Sequence, residues 1–274
     1  MNVVGYNSVL RLDHFSDPDF AHDCRRLFRH LDVAYPNFPH GHENAKIWET
    51  VQAWRAFRDF DILGNDRTLL GIGAGREALT FFLTDHVGQV HATDLYASDS
   101  DWQQGGDRDM LIDPLSHCPR LMPFNRQRLV VQHMDALDLR YEDESFDGIF
   151  SCGSIEHFGS LENVARAAKE MARVLKPGGI IAISTELRLG GGGSHGIPGT
   201  IIFTSAMLQE FFVDASGLEL VDKLQVDTDV RPYCYALLEA IEHGTRPRSL
   251  CISHGGFSWT SVSICLRKIG SPEA

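Results

Sequence analysis

Short apolar runs alternate with helix-forming runs through the middle of this chain. Residues 67–72 are apolar enough for a buried parallel strand, residues 76–82 hold strong helix formers, and glycines at 71, 73 and 75 join the two. Residues 90–96 (VHATDLY) read as a second strand, 129–133 as a third, and 145–151 as a fourth that an acid turn feeds. A helix over 161–174, the turn LKPGG and the strand IIAIST continue the alternation. Farther on, 201–212 contains a helix, 218–225 a strand and 233–241 another helix, and 259–267 (WTSVSICLR) alternates as a closing strand. Strands and helices in this order predict an open α/β sheet.

Residues 1–65 precede the first glycine turn and lack that alternation; their aromatic, histidine and acidic residues suggest a helical cap. Inside it a proline-broken loop leads into a helix whose Ile47, Val51, Trp54 and Phe57 share one face, a stripe that packing explains. Two interruptions fall where strands of such a sheet end. Residues 96–126 form an insertion whose two methionines, Trp102 and Leu111 suggest packing, expected as a partly ordered lid, and 187–199 form a glycine-rich, flexible loop containing His195. The expected division is therefore a cap over 1–65 and one α/β domain over 66–274 that carries the lid.

Composition narrows the class. With 274 residues, 43% hydrophobic and 23% charged, the chain can bury one large core. A net charge of −12 opposes any general grip on nucleic acid or an anionic membrane, so neither is expected as a partner. The six cysteines form no C-x-x-C pair and suggest reduced thiols in a cytoplasmic protein without structural zinc. The start MNVVGYNSVLRLDHF lacks the features of a signal peptide, and no run approaches the roughly 18 apolar residues of a membrane span. A soluble protein is expected.

The chemistry centres on LLGIGAGREA, residues 69–78. Glycine there leaves the backbone open to a ligand, and the new helix turns free N–H groups outward. Asp94, 21 residues after Gly73, suits the two hydroxyls of a ribose. Read from Gly73 to Ala78, the turn is also the G-x-G-x-x-A fingerprint of dinucleotide sites, so the turn alone leaves an NAD-dependent dehydrogenase open. Asp135, past the third strand, is placed to accept from an adenine amine while Ala136 offers its N–H; the plainer reading is that Asp135 caps a turn. His40, His42 and Glu43 match no metal-binding spacing, and no metal is expected.

Taken together, LLGIGAG, TDLY, MDA, FDGIFSCGSIEHF and RVLKPGGIIAIST resemble the successive motifs of class I S-adenosylmethionine-dependent methyltransferases, in order, over residues 67–186. That resemblance implies a doubly wound, mostly parallel seven-stranded sheet with an antiparallel last strand, the Rossmann-like methyltransferase fold. It implies S-adenosylmethionine as methyl donor, S-adenosylhomocysteine as product and a small-molecule acceptor, such as the hydroxyl of a sugar or other metabolite. The donor would be held by Gly71, Gly73, Gly75, Glu77, Asp94, Leu95, Asp135, Ala136, Ser151 and Cys152. Gly71 stands where the family usually has an acid that helps hold the methionyl amino group, and Glu77 is a candidate replacement, though a carboxylate there also complements the helix dipole. An oxygen acceptor favours a general base, for which His157 is the first candidate beside Glu156, with His195, His40 and His42 resting on position alone. A non-catalytic S-adenosylmethionine-binding module is the alternative.

Overall fold

The computed structural model describes residues 4–96, 107–191, 196–227, 250–254 and 256–270. The N-terminal segment forms a strand β1 (Ser8–Val9), then helices α1 (Pro18–Leu27), α2 (Arg29–Ala34) and α3 (Ala45–Asp59). The alternating part follows as β2 (Gly64–Ile72), α4 (Ala78–Leu83), β3 (Val87–Asp94), α5 (Asp109–Ile112), β4 (Leu129–His133), β5 (Phe146–Cys152), α6 (Leu161–Val174) and β6 (Leu175–Gly191). A small hairpin, β7 (Gly196–Ile197) and β8 (Thr200–Ile201), precedes α7 (Ser205–Leu208), β9 (Glu219–Leu220), β10 (Ile252–His254) and β11 (Phe257–Arg267).

The main sheet runs β1-β11-β6-β5-β2-β3-β4, with β9 and β10 also paired to β11. Strands β2 to β6 are mutually parallel, and β11 is antiparallel to β6. The expected closing strand is thus present, but it is not an edge: β1 pairs beyond it, so the N-terminal segment is not helical throughout. From β2 the chain steps one way along the sheet to β3 and β4, and from β5 the other way to β6. Right-handed crossovers therefore put α4 and α6 on opposite faces and open a crevice where the order reverses, at the carboxyl ends of β2 and β5.

Several elements differ from the pattern in extent. The LKPGG turn lies inside the long strand β6 as an irregularity: partners jump from Phe146↔Leu175 to Gly148↔Ile180, with Gly178 left-handed at φ +82. The segment 187–191, expected as flexible loop, continues β6 against β11, and 196–201 form the hairpin. The strand expected over 218–225 reduces to β9 and a single bridge from Gln225 to Ser8, and the helix expected over 233–241 lies outside the described residues.

Helix α3 shows why. Asn44 caps it by accepting the Ile47 N–H at 2.9 Å. Its predicted stripe is buried, but Trp48, Glu49, Thr50, Gln52, Ala53, Arg55 and Ala56 are buried too. The helix is clamped between the sheet, where Phe57 meets Phe150, and α1 and α4, where Trp54 meets Asp23 and Phe82. Each large apolar side chain so enclosed contributes about 1.5–3 kcal/mol. At the opposite strand ends Asp147 accepts from Lys176 at 2.8 Å, the Thr68 N–H at 2.9 Å and Arg67 at 3.0 Å. Burial pushes this carboxyl up, yet those three donors more than offset it and hold it below the usual range. Among the described residues no helix is long and apolar enough to cross a membrane.

Candidate active site

The chain leaves β2 through Gly73 (φ +58) and Gly75 (φ +45), conformations that side chains resist, and enters α4 at Ala78. Three hydrogen bonds fix this turn to the end of β3. Ala74 N–H donates to the Thr93 carbonyl at 3.0 Å, Gly75 N–H to Asp94 Oδ2 at 2.9 Å, and the hydroxyl of fully buried Tyr96 to the Gly75 carbonyl at 2.9 Å. Asp94 also accepts the N–H of exposed Leu95 at 2.6 Å. Burial raises the Asp94 carboxyl, against these N–H donors. Each oxygen retains acceptor capacity toward a ligand.

Two of the glycines answer to the protein itself. A Cβ on Gly73 would lie 1.8 Å from Ser154 Oγ, and one on Gly71 would lie 2.5 Å from the Phe150 ring. Packing against Phe150 thus leaves no room for an acid at position 71. Asp135 is exposed and caps its own turn, its Oδ1 accepting the Leu137 N–H at 2.9 Å, which is the plainer of the two readings. Met134 N–H donates to the Asp94 carbonyl at 3.0 Å, so the turn bearing Asp135 and half-buried Ala136 sits beside the β3 terminus. Ser151 and Cys152, at the end of β5, are buried; the Cys152 thiol is pushed up by that burial, and its carbonyl faces the crevice occupant described next.

That occupant is Lys46, from the first turn of α3. Its ammonium donates to the Cys152 carbonyl at 2.7 Å and Glu77 Oε1 at 3.0 Å, and pairs with Glu49 Oε2 at 3.1 Å. Burial pulls this ammonium down, but Glu49 and Glu77 more than compensate and hold it well above the usual lysine range. Glu77 is raised by burial against the field of Lys46. Its carboxylate makes no cap bond on α4 and pairs with Lys46 instead.

Further carboxylates close the side over β5 and β6. Buried Glu49 accepts from Ser261 at 2.6 Å, and buried Glu156 from Thr185 at 2.9 Å. Burial pushes Glu156 up to about 7, and burial together with Glu156 and Glu49 pushes Glu186 up to about 8. His157 lies next to Glu156, its Nδ1 2.9 Å from the Gly199 carbonyl and its Nε2 3.9 Å from Glu156 Oε1. Bonding to a carbonyl makes Nδ1 the protonated nitrogen and leaves the lone pair on Nε2, and burial lowers the ring's pKa, keeping it neutral.

The remaining candidates sit apart from this group. His40 pairs loosely with Glu43 at 3.7 Å, and His42 lies on the Tyr35 ring at 3.8 Å between centroids. His195 and Trp102 lie outside the described residues. In the described part of the insertion, Asp107, Asp109 and His117 bring ligand-type atoms within 4.8 Å of one another, a grouping their spacing did not suggest. A cleft of about 570 Å³ lies along β1, lined by Arg11, Asp13, His14 and Asp227 among others. Sequence reasoning missed Lys46, Glu49, Glu186 and Tyr96. The available signal was a lysine and a glutamate three apart in the first turn of an otherwise apolar helix face.

Comparison with known proteins bears on this geometry. A family model described as a methyltransferase domain matches residues 70–183. The Mus musculus protein named "Probable tRNA methyltransferase 9B" is 46% identical over 68 residues, 24% of this chain and 15% of that protein. The 27-O-demethylrifamycin SV methyltransferase of Amycolatopsis mediterranei (strain S699) is 30% identical over 119 residues, 43% of this chain and 38% of that one. The chain thus spans well under two thirds of the length of either. Among solved structures, the cyclase SpnF superposes with a TM-score of 0.52 over 91% of this chain and 94% of its own; at 18% identity the likeness is one of fold.

Proposed function

This chain belongs to the class I S-adenosylmethionine-dependent methyltransferase family, and from that premise we propose that it moves the donor's methyl group to a small-molecule acceptor. The observation that carries the reading is the convergence at one crevice of the glycine turn, Asp94, the Asp135 turn and the Cys152 carbonyl, with Glu156 and His157 adjoining. S-adenosylmethionine, when bound, supplies a methyl group already activated on a sulfonium. The residues present suit that molecule: Asp94 is a half-buried carboxylate fit for a ribose diol, and Glu77 with the Cys152 carbonyl already holds an ammonium. In this reading Gly73, Gly75 and Glu77 serve the methionyl end, Asp94 and Leu95 the ribose, Asp135 and Ala136 the adenine, and Ser151 and Cys152 the floor beneath.

With an activated donor, the protein's part is to align two molecules and exclude water. A hydroxyl acceptor also needs a proton removed, and neutral His157 offers Nε2 for that, with Glu156 beside it to take up or steady the charge. The finer reading, an oxygen nucleophile on a sugar or other metabolite, draws support from this base and from the relative whose name specifies an O-demethylated substrate. A tRNA acceptor is disfavoured by the net charge of −12.

The rival is a non-catalytic donor-binding module, the reading that Gly71 in place of the family's usual acid raises. The test follows S-adenosylhomocysteine release from the donor across a panel of hydroxylated, amine and polynucleotide acceptors. Release with a hydroxylated metabolite supports the proposal; donor binding with no release on any acceptor supports the rival.

A further inference from the structure

We propose that Lys46 is the counter-ion for the carboxylate at the amino-acid end of the donor, and that it changes partners on binding. In the free protein its ammonium satisfies Glu77, Glu49 and the Cys152 carbonyl. On binding it yields Glu77 and the Cys152 carbonyl to the incoming ammonium, keeps Glu49, and turns to the incoming carboxylate. The inference rests on the donor reading above and assigns a residue that no motif of that reading contains.

The position of Lys46 is built rather than incidental. The Asn44 cap starts α3 two residues earlier and aims the lysine from the first turn into the crevice. Gly153 leaves room for it: at φ +67, a Cβ there would lie 2.9 Å from Nζ and within 3.6 Å of carboxylate oxygens of Glu156 and Glu49. A side chain at 153 would drive the ammonium off the Cys152 carbonyl.

Charge decides the direction of the exchange. The donor's amino-acid end is a zwitterion. Its ammonium matches the acceptors that Lys46 now holds, but its carboxylate would enter a space bordered by Glu49, Glu77, Glu156 and Glu186. Among the described residues Lys46 is the cation whose field reaches Glu77, Glu156 and Glu186 alike. Without it the carboxylate would face Glu49 with no cation between them. With it, every cation keeps an anion before and after, so the exchange strands no charge. The side chain has the means to move: it is 55% solvent-exposed, and a four-carbon stem lets the ammonium pivot over several ångströms.

Titration of the full chain with two ligands isolates the claim. S-adenosylhomocysteine carries the amino-acid end, and 5′-methylthioadenosine shares the nucleoside but lacks it. Lys46→Met should weaken S-adenosylhomocysteine about 10–100-fold, the range for a hydrogen-bonded pair with a charged group. It should leave 5′-methylthioadenosine within about twofold, and Lys46→Arg should restore most of the loss. Unchanged or tighter S-adenosylhomocysteine binding by Lys46→Met overturns the proposal, as does equal weakening of both ligands. A wild-type chain that binds neither ligand removes the donor reading itself, a result separate from failure of the Lys46 assignment.

Discussion

The two sides of the crevice are built by different means. On the side of β2, β3 and β4, backbone geometry does most of the work: two left-handed glycines, the N–H groups that reach Asp94, and the Tyr96 hydroxyl on the turn. On the side of α3, β5 and β6, side-chain charge dominates, with Glu49, Glu156 and Glu186 gathered around the reach of one lysine. The first design suits a ligand common to a whole family, because backbone groups are insensitive to neighbouring substitutions. The second suits an acceptor particular to this chain, because each carboxylate can be changed without unmaking the turn.

The contrast predicts that Glu156 and His157 on the charged side control chemistry, that Lys46 there holds only the donor's amino-acid end, and that the backbone side controls the rest of donor binding. The largest effect is expected at His157. His157→Gln, with its melting temperature unchanged, should lower turnover by about 10²–10⁴-fold while S-adenosylhomocysteine affinity stays within about twofold. Because the ring must be neutral to accept a proton and burial lowers its pKa, the wild-type rate should fall only as pH drops below the ordinary histidine value of 6.5. Retention of more than about a tenth of wild-type turnover would remove His157 as the base.

A smaller effect tests the backbone side. Restoring the family's usual acid by Gly71→Asp should not improve donor binding, since the new side chain would enter the Phe150 ring. It should instead cost about 1–3 kcal/mol of stability, as overpacking does. Tighter donor binding at unchanged stability would contradict that assignment.

The smallest effect separates the two sides by pH. Burial holds Glu186 up to about 8, above its ordinary 4.5, so between those values the folded chain binds a proton that the unfolded chain has lost. Stability therefore declines as pH rises through that window. Glu186→Gln removes the penalty and should raise the melting temperature by several degrees at pH 8, on the scale of roughly 2–4 °C per kcal/mol, with little change at pH 4.5. An equal shift at both pH values would point to packing instead of charge.

The same contrast explains what the amino-acid order revealed. Residues 129–133 and 161–174 match β4 and α6 because period and caps are local there. Helix α3 was legible as a helix, but its all-round burial was not, because α1, α4 and the sheet enclose it from distant parts of the chain. The two-residue β1 is too short to leave a pattern. At the site, the glycine turn, Asp94 and Asp135 stand in motifs that fold where they are written. Lys46 and the Cys152 carbonyl are 106 positions apart, and no spacing rule joins them. Glu186 is read from sequence as one more strand residue until α3 and Glu156 are seen to face it.

The central claim is that the crevice at the ends of β2, β3 and β5 receives S-adenosylmethionine through Asp94 and the glycine turn. Calorimetric titration of the wild-type chain and of Asp94→Ala with S-adenosylhomocysteine and with NAD tests it most directly. The account predicts micromolar binding of S-adenosylhomocysteine by the wild type, a loss of about 1.5–3 kcal/mol in Asp94→Ala, and no comparable affinity for NAD. Tight binding of NAD, or S-adenosylhomocysteine affinity indifferent to Asp94, would contradict it.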